Sequence, residues 1–143
     1  VQVICQTALT KVDHLIYMQR GYHAAELSHP ADEIVQPLHV DHHQCRFGQW
    51  YETGPGKEQY SQLPSYPQIV EPHARVHQSM HKALQVLSQD WEKNPQLHDE
   101  LLAAFREAEA ASESLTQLLE HMTQEKLHQD VVRTTTETEV EPF

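Results

Sequence analysis

Apolar residues recur along this chain at alternating spacings of three and four, and nowhere alternate with period two for long enough to argue a strand. The clearest series is Leu101, Phe105, Ala108, Ser112, Leu115, Leu119 and Met122, the seam of a helix packed in a bundle. It begins behind Asn94, a good helix cap, and Pro95, whose missing N–H costs nothing at the first helical position. About 32 residues of this pattern, at ~1.5 Å rise each, make a rod of roughly 48 Å that needs partners of similar length. A second helix is predicted from about Glu71 to Lys93, with Pro72 in its first turn and a seam of His73, Val76, Met80, Leu84, Leu87 and Trp91. A third covers roughly Gln2 to Leu27. It carries one stripe of Ile4, Ala8, Val12, Leu15 and Tyr22 and an adjoining one of Met18, Gly21 and Ala25, which predicts two buried faces.

Ser28 to Val40 is punctuated by Pro30 and Pro37, and Gly54 to Pro67 by Pro55, Gly56 and Pro64, so both stretches read as connections. A shorter helix is left between them, from about His39 to Glu52. The expected fold is all-α: an antiparallel four-helix bundle with a short additional helix carrying the Cys45 region. The helical domain is expected over residues 1–133. Residues 134–143, TTTETEVEPF, have no apolar face and read as a flexible tail.

Composition narrows the function classes. The chain has 143 residues, which fits one domain and rules out a second full one. Its net charge of -11 repels phosphate backbones and anionic lipid, and the basic residues do not cluster, so nucleic acid and membrane surfaces are excluded as partners. No apolar run approaches the ~20 residues of a membrane span, and there is neither an initiator Met nor a signal-peptide pattern. A cytoplasmic piece of a longer protein is expected. Two cysteines, Cys5 and Cys45, are too few for a disulfide scaffold and fit a reducing compartment. The anomaly is the content of 12 histidines.

Histidines stand at 73, 77 and 81 on the second helix. At ~100° per residue, His73 lies in the apolar seam, His77 ~40° to one side and His81 ~80° away, so the first two point inward. A pair at i and i+4 is the spacing at which two imidazoles of one helix share a tetrahedral metal ion. A single inward histidine is as readily a satisfied core residue, but two adjacent ones each need a partner that helix packing rarely supplies. Cys45 follows His42 and His43 in CRFGQWYETG, where composition leaves it either a small buried hydrophobe or a ligand.

These residues carry a resemblance. CRFGQW resembles the signature of the bacterial chemoreceptor zinc-binding domain family: Cys, any residue, Leu or Phe, Gly, any residue, Trp. KVDHLIYMQRGY, DHHQC and LPSYPQIVEPHARVH are also similar to that family, in the right order over roughly residues 8 to 90. The resemblance implies Zn2+ bound within the bundle by His14, Cys45, His73 and His77. Sliding the match by one turn makes His77 and His81 the pair instead, whereas the seam geometry favours 73 and 77. His14 is nominated by the family pattern alone, because it lies off the main stripe of its helix. Asp13, Asp41, His42 and His43 are candidates to orient the ligands, with solvated surface as the alternative. Trp50 and Tyr51 are expected in the core, and His98, His121 and His128 on solvated faces.

Three imidazoles and a thiolate fill a tetrahedral shell and leave no open position for a catalytic water, so a sensor is expected rather than an enzyme. The resemblance implies response to zinc or to hypochlorous acid acting on the zinc-bound cysteine. It further implies a homodimer and an output region in the same parent chain, either a methyl-accepting chemotaxis coiled coil or a diguanylate cyclase. The polar ending EVEPF fits a receptor C-terminus. Two rivals are a hemerythrin-like di-iron bundle, for which His121 and Glu125 offer one HxxxE pair, and a metallohydrolase with Cys45 as bystander.

Overall fold

The computed structural model describes the backbone of residues 2–140 and the side chains of 5–135. Every regular element among them is helical: α1 Gln2–Glu26, α2 Asp32–Val35, α3 Arg46–Glu52, α4 Pro55–Tyr60, α5 Val70–Leu87 and α6 Pro95–Val140. Short 3-10 turns occupy Gln36–His39, Tyr66–Ile69 and Trp91–Lys93.

α6 begins as its sequence predicts. The Asn94 Oδ1 accepts the Gln96 N–H at 3.0 Å and the Leu97 N–H at 3.4 Å, with Pro95 at the first helical position. Its seam is buried at Leu101, Phe105, Ala108, Leu115, Leu119 and Met122, with Ala111 in the place expected of Ser112. α6 runs antiparallel to α5, where Lys82 pairs with Glu107 at 3.7 Å. It is also antiparallel to α1. Thr123 donates to the Thr7 hydroxyl at 3.0 Å, Lys11 reaches Glu120 at 3.3 Å, and the Tyr22 hydroxyl donates to Glu109. Residues from 134, expected as a tail, are helical to Val140; residues 141–143 lie outside the described residues.

Because α1 and α5 both oppose α6, they are parallel to each other, and the chain between them must travel back down the bundle. It does so as a fourth leg of short helices, among them α3, the short helix expected for the Cys45 region. Pro37, Pro55 and Pro67 each sit in the first turn of one of these pieces, where a helix can start but not be passed through. The second helix also stops earlier than predicted, at Leu87, and Trp91 lies in a separate turn. Pro95 holds Asn94 in an extended conformation, so the two long helices cannot run together.

Two apolar clusters fill the bundle. Met18, Val76, Met80, Leu84 and Phe105 belong to one, while Phe47, Tyr51, Tyr60, Ile69 and Leu119 belong to the other. Trp50 packs half-buried against the second. On α1 the stripe predicted to dominate is the outer one: Ala8, Val12 and Leu15 are exposed, and Ile4 lies outside the described side chains. The inward face is Thr7, Thr10, His14, Met18, Gly21 and Ala24. A Cβ at Gly21 would stand 2.5 Å from the Met80 Cε, so the Met80 side chain occupies the space over Gly21.

Candidate metal centre

The two clusters meet at a polar layer. His73 and His77, each 2% exposed, descend from α5 on successive turns, with ring centroids 5.0 Å apart. His14 comes from α1, buried, with its ring 5.0 Å from that of His73 and 5.8 Å from that of His77. The fourth group is Cys45, half-buried at the start of α3, whose Sγ lies 3.3 Å from the His73 Nε2.

Local sequence explains how the sulfur is delivered. Asp41 folds the loop: its carboxylate accepts the backbone N–H groups of His43 and Gln44 at 2.9 Å, and its carbonyl accepts that of Cys45 at 3.1 Å. Cys45 then caps α3, its sulfur accepting the Gly48 N–H at 3.3 Å. Gly48 is required sterically, since a Cβ there would lie 1.9 Å from the His42 carbonyl oxygen. Phe47 turns inward, its ring edge-on to His73 at 4.4 Å and to His14 at 5.4 Å, and excludes water from one side. Gly56 admits the Trp50 indole, whose ring atoms would lie 2.7 Å from a Cβ. The Cys, Phe, Gly and Trp of CRFGQW each have a separate mechanical task.

Burial is the main electrostatic fact of the site. It lowers the pKa of His14 to about 4 with help from His77, and that of His73 to about 2 with help from the neighbouring imidazoles. It lowers His77 to about 4 against the opposing hydrogen bond to Val40. All three rings are therefore neutral at pH 7 and offer lone pairs. Burial also pushes the Cys45 thiol up, opposed by the N–H groups of Gly48 and Phe47.

One ligating atom from each of His14, Cys45, His73 and His77 lies within 4.8 Å of the others. A tetrahedral zinc shell has ligand separations of about 3.3–3.7 Å, so the cluster is one small contraction from coordination distance. The His77 Nδ1–H donates to the Val40 carbonyl at 2.8 Å, which fixes the tautomer and leaves Nε2 as an acceptor. That Nε2 and the His14 Nδ1 are buried without hydrogen-bond partners. A cation at the centre resolves both defects, so the residues fit the group.

His81 does not converge on this centre; its Nε2 donates to the same Val40 carbonyl at 3.1 Å. None of the four residues nominated to orient ligands hydrogen-bonds a ligand imidazole, but two hold Cys45: the Asp41 carbonyl accepts its N–H at 3.1 Å and the His42 carbonyl its Sγ–H at 3.8 Å. Asp13 pairs with Arg46 at 3.5 Å, Asp41 shapes the loop, His43 pairs with Glu52, and the His42 ring stacks beside that of His43. The orienting group is the Val40 carbonyl, a main-chain atom that carries no sequence signal. Tyr17 was also not foreseen: its ring packs on His77 at 4.7 Å and its hydroxyl donates to the Leu38 carbonyl at 2.9 Å. His98, His121 and His128 are exposed as expected. Glu125 accepts the Ser65 N–H at 3.1 Å while His121 faces solvent, so the HxxxE pair of the di-iron reading does not form a site.

Among the described residues, no helix is long and apolar enough to cross a membrane. No curated protein and no solved structure matches the chain significantly. The sequence model of the chemoreceptor zinc-binding domain matches residues 14–84, a span that opens on the first of the four converging residues and contains the other three. Over that span the chain belongs to the chemoreceptor zinc-binding domain family.

Proposed function

We propose that this helical module is the zinc-binding sensor of a bacterial cytoplasmic signalling protein, regulatory rather than enzymatic. The observation that carries the reading is the convergence of four ligating atoms from three separate elements, two of the contributing imidazoles having a buried ring nitrogen without a partner. His14, Cys45, His73 and His77 hold one Zn2+ in a closed shell, and the bound ion keeps the Cys45 sulfur as thiolate.

Hypochlorous acid is the proposed oxidant. The Cys45 sulfur attacks its chlorine, and the S–Cl bond forms as hydroxide leaves. Water then displaces chloride and loses a proton, giving the sulfenic acid; sulfur has given up two electrons and chlorine has become chloride. Cys45 joins the 41–45 loop to α3, so loss of its sulfur as a ligand removes a metal-mediated tie between that loop and the histidines of α1 and α5 at the centre. Zinc supply acts through the same four groups. The output lies in the same parent chain, a methyl-accepting signalling coiled coil or a diguanylate cyclase.

The module acts as a homodimer through the outer face of α1. Leu9, Val12, Leu15 and Ile16 are 67%, 48%, 58% and 40% exposed there, an apolar stripe that the bundle leaves uncovered. The test is metal analysis with oxidant challenge. One zinc per chain is expected, lost in Cys45→Ala, and hypochlorous acid releases it with a change in helix content. A Cys45→Ser protein that responds to oxidant like the parent would overturn the mechanism.

A further inference from the structure

The histidine ligands of the centre are buried, so an ion arriving from water must exchange its waters for side chains on the way in. One series of groups spans that distance. His43 is exposed, and its Nδ1 meets the Glu52 carboxylate at 2.5 Å, which leaves Nε2 as an acceptor. His42 is half-buried, its ring 4.0 Å from that of His43 and 5.7 Å, edge-on, from that of the ligand His73. The ligand rings of the centre stand 5.0 to 5.8 Å from one another, so neither step is longer than those between imidazoles placed to share one ion.

Beside His43, the charged groups that act on the His42 ring are the carboxylates of Glu52 and Asp41, in a chain of net charge -11. This approach favours a cation. Among the described residues, the four groups of the centre are the one set of three or more ligating side chains close enough to hold an ion, so the approach does not trap what it attracts. His39 and His81 make a similar series toward His77, but its steps of 6.0 and 6.4 Å exceed every ring separation at the centre, and His81 spends its Nε2 on the Val40 carbonyl. A cavity of about 440 Å3 also reaches Cys45, His14 and His77, but neither His42 nor His43 lines it, and its one lining carboxylate, Asp13, is paired with Arg46 at 3.5 Å.

We infer that His43, with Glu52, and then His42 form a loading path that takes Zn2+ at the surface and passes it to His73. Each step exchanges one water or imidazole for the next imidazole, with no change of oxidation state. The inference rests on the zinc centre of the sensor reading. Because neither histidine belongs to the final shell, removing them slows entry and release by the same factor and leaves the dissociation constant unchanged.

The test mixes the zinc-free chain with Zn2+, stops uptake with excess chelator after increasing delays, and counts the zinc left on the protein. His42→Gln/His43→Gln should slow uptake about tenfold and Glu52→Gln about threefold. Release to a chelator should slow by the same factors, with stoichiometry and dissociation constant as in the parent. His121→Gln/His128→Gln removes two exposed histidines of α6 and should load at the parent rate. Parent-rate loading of His42→Gln/His43→Gln overturns the inference and leaves the cavity as the route. Equal slowing by the α6 variant overturns it as well, and so does slower uptake accompanied by weaker binding, which would make His42 and His43 supports of the centre. A parent chain that binds no zinc sinks the sensor reading and the path together; bound zinc with rates indifferent to both histidines sinks the path alone.

Discussion

α1 and α5 both deliver histidines to one point, yet they display them in opposite ways. On α5, His73 and His77 lie on the apolar seam beside Val76 and Met80, so the richest face of the helix is also the one that looks at the site. On α1, His14 lies among Thr7, Thr10, Met18 and Gly21, while Leu9, Val12, Leu15 and Ile16 look away from the bundle. A seam marks the bundle centre only when the bundle is the sole thing its helix packs against.

The comparison breaks first at the ligands. If the two helices contribute equally, His14→Ala and His73→Ala should each weaken zinc binding by at least about a hundredfold, roughly a quarter of the binding free energy of a structural site. Competition with a chelator of known affinity measures this. A small loss in His14→Ala beside a large one in His73→Ala would make α5 the metal-binding helix and α1 a lid.

Acid probes both helices together in the metal-free protein. Burial, the largest cause in each case, holds His14 and His77 down to about 4 and His73 down to about 2, against an ordinary value of 6.5. Below ~6.5 the unfolded chain takes up protons that the folded chain refuses, so the unfolded state is favoured as pH falls. Stability should be level above ~6.5, decline from ~6.5 to ~4, and decline further toward ~2 through His73. Urea midpoints across that range are the measurement; a midpoint unchanged from about pH 7 to pH 4.5 would show that these rings are solvated.

The two faces of α1 give the next contrast. Met18→Ala removes a 5% exposed side chain from the core and should cost about 2–4 kcal/mol. Ile16→Ser, on the 40% exposed outer face, should change the stability of a single chain by less than about 0.5 kcal/mol. If the outer face is the dimer contact, that second variant halves the mass measured by light scattering while leaving helix content alone. An unchanged mass would move the interface elsewhere.

Much of this was legible because α5 and α6 obey local rules. Asn94 and Pro95 set the start of α6, and seams of period 3.6 named nearly all of its core. Of the four converging side chains, His73 and His77 were legible from their i, i+4 spacing on an apolar seam, whereas Cys45 and His14 were nominated only by the family resemblance of CRFGQW and KVDH. The broken fourth leg was not: its pieces are four to seven residues long, too short for a periodicity, and only the parallel placement of α1 and α5 obliges the chain to return that way. Nor could sequence show Val40, which acts through its carbonyl, or the inward turn of α1, which depends on how the helices pack.

Two glycines sharpen that last point, with the smallest effects. Gly21 lies in α1, and a Cβ there would stand 2.5 Å from the Met80 Cε, the free end of a flexible side chain. Alanine gains about 1 kcal/mol in helix propensity at such a position, and a methionine tip can turn aside, so Gly21→Ala should be neutral within about 1 kcal/mol. Gly48 lies in α3, and its Cβ would stand 1.9 Å from the His42 carbonyl, which is main chain and cannot turn aside without moving the loop that carries Cys45. Gly48→Ala should therefore cost about 1–3 kcal/mol despite the same propensity gain, and should also weaken zinc binding because the sulfur moves with its loop. Equal responses at the two glycines would mean that the 41–45 loop adapts freely, and then the position of Cys45 would be set by the metal rather than by the fold.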